Sequence, residues 1–415
     1  MGTLFDATFF DTMIASVAVG SLYALIALGY TMVYGILKFI NFAHSDVFVL
    51  GAWTAFTTTT ALIAWTGLSA AGAPWWLGPI VLGVAMVVCG VTAFCIERFA
   101  YRPLRKAPRL NVLITAIGVS LLLQNFNQLP PAPGLARTAT VSFPFGPTPK
   151  TMPELLPDVI LNESIIATGT LGGGERRGQV LLDRAVTVLP GRTYRLDVTR
   201  QTEAGPVVAR FNLNNPPVGE VQAGTPLVTQ PLRPPAEMQG LAYVLVQVPA
   251  VTIRLVDVAI VGTAAVLMVG LLWLVFRTRL GAAMRAVSFS IENAALMGVN
   301  VNFVISFTFV LGACLAAAAG FLYPIKYPSL QQPASDVWVL LGLKAFVAAV
   351  VGGIGNIRGA VLGGFLIAFI EFFGETYLSA TIGSGLQDIY VFTTLILVLL
   401  LRPAGLLGTP VREKV

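Results

Sequence analysis

Histidine and cysteine are almost missing from this chain. Its 415 residues include one histidine, His44, and three cysteines, Cys89, Cys95 and Cys314. A zinc centre needs three or four well-spaced ligands, and a Ser-His-Asp triad needs a histidine beside its nucleophile. Neither has material here. No two cysteines show metal-ligand spacing, and all three fall in apolar stretches, where a thiol serves as a small core residue. Charge is scarce too: Asp, Glu, Lys and Arg make up 11% of the chain, against roughly 25% in soluble domains. The net charge of +6 does not indicate nucleic acid, because the basic residues gather in short segments between apolar runs. The phosphate-loop pattern GxxxxGK(S/T) occurs nowhere. Asp6 and Asp11 precede the first apolar run without a basic stretch, which argues against a cleaved signal peptide.

Apolar residues fill the space that charge leaves, at 56% of the chain. Several runs exceed the 18 or so residues that mark a membrane span. The pattern predicts spans near 13–34, a second ending near 64, 77–96, 110–128, 255–276 and 302–323, then shorter elements near 337–351, 361–377 and 388–401. That makes eight or nine crossings. Arg98, Arg102, Arg105, Lys106 and Arg109 follow the third span, and Arg277, Arg279 and Arg285 follow the fifth. The positive-inside rule puts both segments, and the C-terminus with Arg402, Arg412 and Lys414, in the cytoplasm.

Between residues 129 and 252 the composition changes. Seventeen of the 26 prolines fall here, and no run is long enough to span. Tyr194, Leu196 and Val198 alternate with Arg195 and Asp197 after a Pro190-Gly191 turn, and Ala209, Phe211 and Leu213 alternate again. Period two with turn residues indicates a half-buried antiparallel sheet. A small β-rich domain at about 162–243 is the expectation, with a proline-rich disordered loop as the alternative. The fold class that follows is an all-α polytopic membrane protein with eight or nine spans, carrying a small inserted extracytoplasmic β-rich domain. Its parts are an N-terminal transmembrane half (1–128), the extracytoplasmic loop (129–252) and a C-terminal transmembrane half (253–415).

Three polar features interrupt the apolar chain. The first is residues 277–302, where a short amphipathic run carries Glu292, Ala294, Ala295 and Gly298. A small-residue helix held between two spans at the cytoplasmic face suits a groove on a soluble partner; an ordinary cytoplasmic loop is the plainer reading. The second is a pair of interruptions, at 35–53 and 352–364, in loosely corresponding places of the two halves. Gly353, Gly355 and Asn356 lie in the latter. Broken helices near the midplane gather where backbone lines a pathway, so an internal repeat with interrupted helices is expected. The third is a set of polar groups in apolar surroundings: Asn41, His44, Asp46, Lys344 and Glu371. Each ionised one costs roughly 2.5–3.5 kcal/mol at a helix centre and needs a partner or water. They read as a translocation path, or as structural pairs such as Lys344 with Glu371.

At these residues the chain resembles LivH-type permeases, the membrane subunits of branched-chain amino-acid ABC importers. GSLYALIALGYTMVYGILKFINFAHSDVFVLGAW, IERFAYRPLR, LITAIGVSLLLQN, the stretch GAAMRAVSFSIENAALMGVNVNFVISFTFVLGACLAAAAGFL, then LKAFVAAVVGGIGNIRGAVLGG and LILVLLLRPAGLLG carry the resemblance in order. It implies a bacterial inner-membrane transport subunit, not an enzyme, working by ATP-driven alternating access. It implies a second permease, LivM-like or a second copy, two cytoplasmic ATPases that bind ATP and Mg, and a periplasmic binding protein. This chain itself would bind no cofactor. Arg285, Glu292, Ala294, Ala295 and Gly298 fall on the family's cytoplasmic coupling segment. Two departures stand out: the long outer loop holding the β insert, and Ser45, where the family usually has glycine. Alternatives are a permease for urea, short amides or other amino acids, and a membrane-tethered binding or sensing protein acting through the insert.

Overall fold

The structure, a computed structural model, describes residues 7–67, 74, 76–105, 107–130, 143–157, 159–171, 180–182, 186–188, 193–202, 205–213, 219–222, 242–249, 251–382 and 385–408. They divide into two units, one comprising Met1–Asp11 and Asp158–Leu255, the other Thr12–Pro157 and Val256–Val415. The Pro190-Gly191 turn, Lys106, Arg412 and Lys414 lie outside the described residues.

Lipid offers a backbone no hydrogen-bond partner, so apolar runs close their bonds internally as helices. In chain order these are α1 (Ala7–Leu37), α2 (His44–Thr66), α3 (Leu77–Cys95), α4 (Arg109–Asn127), α5 (Leu255–Arg277), α6 (Arg279–Phe289), α7 (Ile291–Leu296), α8 (Val301–Lys326), α9 (Asp336–Gly352), α10 (Ile357–Ile382) and α11 (Gln387–Leu401). A π-helical segment, Ile96–Tyr101, and a 3-10 turn, Arg102–Leu104, prolong α3. Among the described residues seven helical stretches are long and apolar enough to cross a membrane: α1, α2, α3 with its extension, α4, α5, α8 and α10. The sequence predicts eight or nine; the difference lies in α9, at 17 residues, and α11, at 15. Gly353 stops the former at a φ of 106°, and Pro403 follows the latter.

The innermost helices are α1, α2 and α8, whose apolar stretches are 78, 61 and 67% buried, whereas α3, α4 and α5 bury only 22–28%. The outer three therefore keep one apolar face free for lipid or another subunit. Cys95, expected in the core, is exposed on this outer side of α3, while Cys89 is buried. Where α2 crosses α8, Gly51 meets Ala317, and a Cβ on Gly320 would strike the Phe48 carbonyl. Small residues thus set the helix spacing where apolar lipid gives no drive to pack.

Both interruptions are narrower than the sequence indicates. The first is confined to Lys38–Ala43, and Lys38 takes a positive φ of 56° before α2 starts at His44. The second spans Gly353–Asn356, and residues 357–364 are already helical. The Arg402–Gly408 tail closes over this second turn, with Leu406 N–H donating to Val351 O at 2.8 Å and Leu407 N–H to Gly352 O at 3.0 Å. The second turn approaches the end of α1: a Cβ placed on Gly355 would lie 4.0 Å from Gly35 Cα.

The other unit is built from strands. β1 (Lys150–Thr151) and β9 (Ser329–Leu330) pair within the helical unit; the remaining strands are β2 (Ser164–Leu171), β3 (Val180–Leu182), β4 (Val186–Val188), β5 (Thr193–Thr202), β6 (Gly205–Leu213), β7 (Gly219–Val221) and β8 (Ala242–Val248). They form a five-stranded sheet in the order β3-β2-β8-β5-β6 and a two-stranded sheet β4-β7. All pairings are antiparallel. The alternation in β5 turns Tyr194, Leu196 and Val198 inward onto Tyr243, Leu245, Val186 and Val188. On the opposite parity Arg195 makes a paired bond to Glu163 (2.6 and 2.9 Å) and another to Asp197 (2.7 and 2.9 Å). The hydrogen bonds to Asp197, then those to Glu163, raise the guanidinium pKa further above its ordinary value.

Candidate functional site

The segment between α5 and α8 folds as two short helices. α6 begins at Thr278, whose hydroxyl accepts the Gly281 N–H at 3.1 Å. α7 begins at Ser290, which accepts from Asn293 N–H at 3.2 Å, and Asn300 caps α8 by accepting from Phe303 N–H at 3.1 Å. Three side-chain caps in 23 residues fix the path of a segment with little core of its own. Arg285 turns back: it donates to the Val275 carbonyl at the end of α5 and lies 5.7 Å over the Phe276 ring. Its charge therefore meets the negative end of the α5 dipole. Ala294 is buried, while Glu292, Ala295 and Gly298 are exposed. Around them stand Phe289, Leu296 and Met297, exposed by 91, 86 and 84%. Three neighbouring large apolar side chains so bare, on a segment capped in place, form a surface suited to a partner.

The first helix break places Asn41, His44 and Asp46 among apolar neighbours. Tyr101 Oη donates to Asn41 Oδ1 at 2.6 Å, and Gln124 Nε2 donates to Asp46 Oδ1 at 2.9 Å. His44 packs against the Tyr30 ring at 4.6 Å. All three are buried, and His44 Nε2 and Asp46 Oδ2 have no hydrogen-bond partner among the described residues. Unsatisfied polar atoms at this depth are costly unless water or a passing solute reaches them. At the second break Asn356 donates its amide to Leu407 O at 2.7 Å and accepts from Arg358 N–H at 3.0 Å. Asn356 is thus committed to holding the turn; Gly353 is buried beneath the tail and Gly355 is exposed.

Lys344 and Glu371 come together. Lys344 Nζ donates to Glu371 Oε1 at 2.7 Å and pairs with Asp388 Oδ1 at 2.7 Å, while Tyr23 Oη donates to Glu371 Oε2 at 2.8 Å. Four helices, α1, α9, α10 and α11, each contribute one group. The cluster lines a cavity of about 510 Å³ that Glu375, Tyr323 and Tyr327 also face. The cavity does not include Asn41, His44, Asp46 or Asn356, so the polar residues singled out from sequence form separate groups.

Sequence reasoning missed two buried pairs. Glu97, the first residue of the basic segment, is fully buried; it pairs with Arg105 and accepts from Ser306 Oγ at 2.5 Å. Arg105 also donates to Asn302 Oδ1 at 2.7 Å. Both basic segments therefore lie at one end of the helices, next to α6 and α7. Asp257 pairs with Lys326. The available signal was a single acidic residue at the edge of each apolar run, where a charge needs an opposite partner.

The chain matches a family model described as branched-chain amino acid transport system / permease component over residues 12–149 and 222–401. It is 32% identical over 411 residues, covering 98% of each chain, to the high-affinity branched-chain amino acid transport system permease protein BraD of Pseudomonas aeruginosa. It is 30% identical over 407 residues, again 98% of each chain, to the corresponding LivH protein of Escherichia coli strain K12. A shorter likeness, 29% over 114 residues covering 26% of this chain and 32% of the relative, reaches the autoinducer 2 import system permease protein LsrC of Yersinia pseudotuberculosis. No solved structure matches. The two-part match embraces the helices on both sides of the strand-rich unit, and the chain belongs to the permease family of branched-chain amino acid transport systems.

Proposed function

We infer that this chain is the membrane-spanning permease subunit of an ABC importer that carries branched-chain amino acids inward across the bacterial inner membrane. The observation that carries the reading is full-length similarity to two permeases named for that transport. The chain is a transport subunit, and ATP hydrolysis belongs to separate ATPases. Its general partners are those ATPases, which hold ATP and Mg, and a substrate-binding protein. A second permease, LivM-like or another copy of this chain, completes the pore. The exposed Phe289, Leu296 and Met297 around Glu292, Ala295 and Gly298 provide the ATPase docking surface, and Arg285 and Ala294 hold that surface in place. ATP binding draws two such surfaces together and turns the pore from inward- to outward-facing.

The path follows the two helix breaks, with Asn41 on one, His44 and Asp46 in the first turn of α2 beside it, and Gly353, Gly355 and Asn356 on the other. Lys344 and Glu371 stand farther along. With the basic segments and the C-terminus cytoplasmic, residues 129–252 lie on the extracytoplasmic side, where the strand-rich unit is placed to meet the binding protein. Reconstitution tests the reading: proteoliposomes holding the permeases and ATPases, with binding protein outside, accumulate leucine only when ATP is enclosed on the ATPase side. ATP-dependent uptake of urea in place of leucine would favour the alternative substrate class.

A further inference from the structure

We propose that the cavity around Lys344, Glu371 and Asp388 is a binding site for the zwitterionic backbone of an α-amino acid, a way-station on the path; this rests on the transport reading above. The site is not an acidic cluster alone. It is a cavity of about 510 Å³, within the range of small-molecule pockets, with one buried cation bridging two carboxylates at 2.7 Å each.

The charges on its lining do not balance. Lys344 faces Glu371, Asp388 and Glu375, and among the described residues no arginine or histidine lines the space. Glu375 forms no ion pair among the described residues. The lining therefore holds a place for one more ammonium. Lys344 has three N–H donors and keeps Asp388 if its bond to Glu371 opens. A ligand ammonium can then take Glu371 and Glu375, while the ligand carboxylate takes Lys344. Both charges of the opened pair find new partners at once. A ligand without the ammonium adds negative charge to an already acidic lining, whereas one without the carboxylate leaves the Lys344–Glu371 pair closed and gains only the partly exposed Glu375, one ion pair fewer than the zwitterion makes. Val19, Leu341 and Phe372 form the apolar part of the wall, where a branched aliphatic side chain replaces water. Specificity for the backbone comes from the ion pair, and tolerance among aliphatic side chains from the wall.

The test uses the complete permease–ATPase assembly in lipid nanodiscs without its binding protein, with radiolabelled leucine as probe. Unlabelled leucine competes. 3-Methylbutylamine, which lacks the carboxylate, and 4-methylpentanoate, which lacks the ammonium, each compete at least tenfold more weakly. The double variant Lys344→Met/Glu371→Gln removes the pair together and leaves an acceptor for Tyr23. It loses leucine binding at least tenfold, yet still purifies with the ATPases. Unchanged leucine binding in that variant overturns the proposal. So does equal competition by 3-methylbutylamine, which would make the cavity a site for cations only. If the wild-type importer with its binding protein takes up no leucine, the transport reading falls and the inference with it. Leucine uptake without any binding that this variant alters removes the inference and leaves the reading standing.

Discussion

Ser306 Oγ donates to Glu97 Oε2 at 2.5 Å across 209 residues of sequence. This contact joins the end of α3 to the start of α8, one turn beyond the capped segment that holds α7. Glu97 also pairs with Arg105, whose second nitrogen holds Asn302. The start of α8, next to α6 and α7, is thus tied to the end of α3 by a buried carboxylate. Replacing Glu97 with leucine strands Arg105 and Ser306, and about 1–3 kcal/mol of stability is lost, short of a fully buried pair because Arg105 can reach water. Glu97→Gln keeps an acceptor and loses less. Thermal unfolding of the detergent-solubilised assembly ranks the three proteins.

Leu296 and Met297 are almost bare in the isolated chain. Their substitution by aspartate leaves this chain's own folding within about 0.5 kcal/mol, as for other exposed positions. Docking of the ATPases fails, because each aspartate must be desolvated at the interface. Co-purification with the ATPases measures this directly, and circular dichroism checks the fold.

Gly353 combines a φ of 106° with contact to the Gly408 backbone. An alanine there meets both strain and a clash, and costs more than the roughly 1 kcal/mol of the backbone effect alone. The Arg402–Gly408 tail is displaced, because its hydrogen bonds to Val351 and Gly352 require that approach. Faster protease cleavage in the tail of Gly353→Ala reads this out.

Arg195 serves the strand-rich unit alone. Arg195→Met leaves Glu163 and Asp197 without their shared cation, at a cost of about 1–3 kcal/mol for a pair between exposed and buried. The shift in Arg195 is upward, so its contribution is complete below the ordinary arginine pKa and fades only as pH rises beyond it. Between pH 6 and pH 10 this ion is constant, and proteolysis of the unit at those two values shows equal loss in the variant.

Much of this was legible in the sequence. The membrane class follows from apolar run length, and Tyr194, Leu196 and Val198 announced a strand by alternation. The pairing of Lys344 with Glu371 was foreseeable, since two opposite charges in neighbouring apolar elements have few other partners. Asp388 and Tyr23 were not, because one reads as a helix-start polar residue and the other as an ordinary interior aromatic. The β5–β8 pairing joins strands more than 40 residues apart, and alternation alone names a face but no neighbour. The interruptions were drawn too wide because glycine in a membrane helix serves close packing as often as it ends a helix, as Gly363 and Gly364 do.

The central claim is that this chain moves substrate only when driven by ATPases it does not contain. The most direct measurement is leucine accumulation in proteoliposomes prepared with and without the ATPases, binding protein and enclosed ATP present in both. The account predicts concentrative uptake only in the first, abolished by Leu296→Asp in this chain. Concentrative uptake by the permeases without ATPases, or uptake untouched by Leu296→Asp, would contradict it.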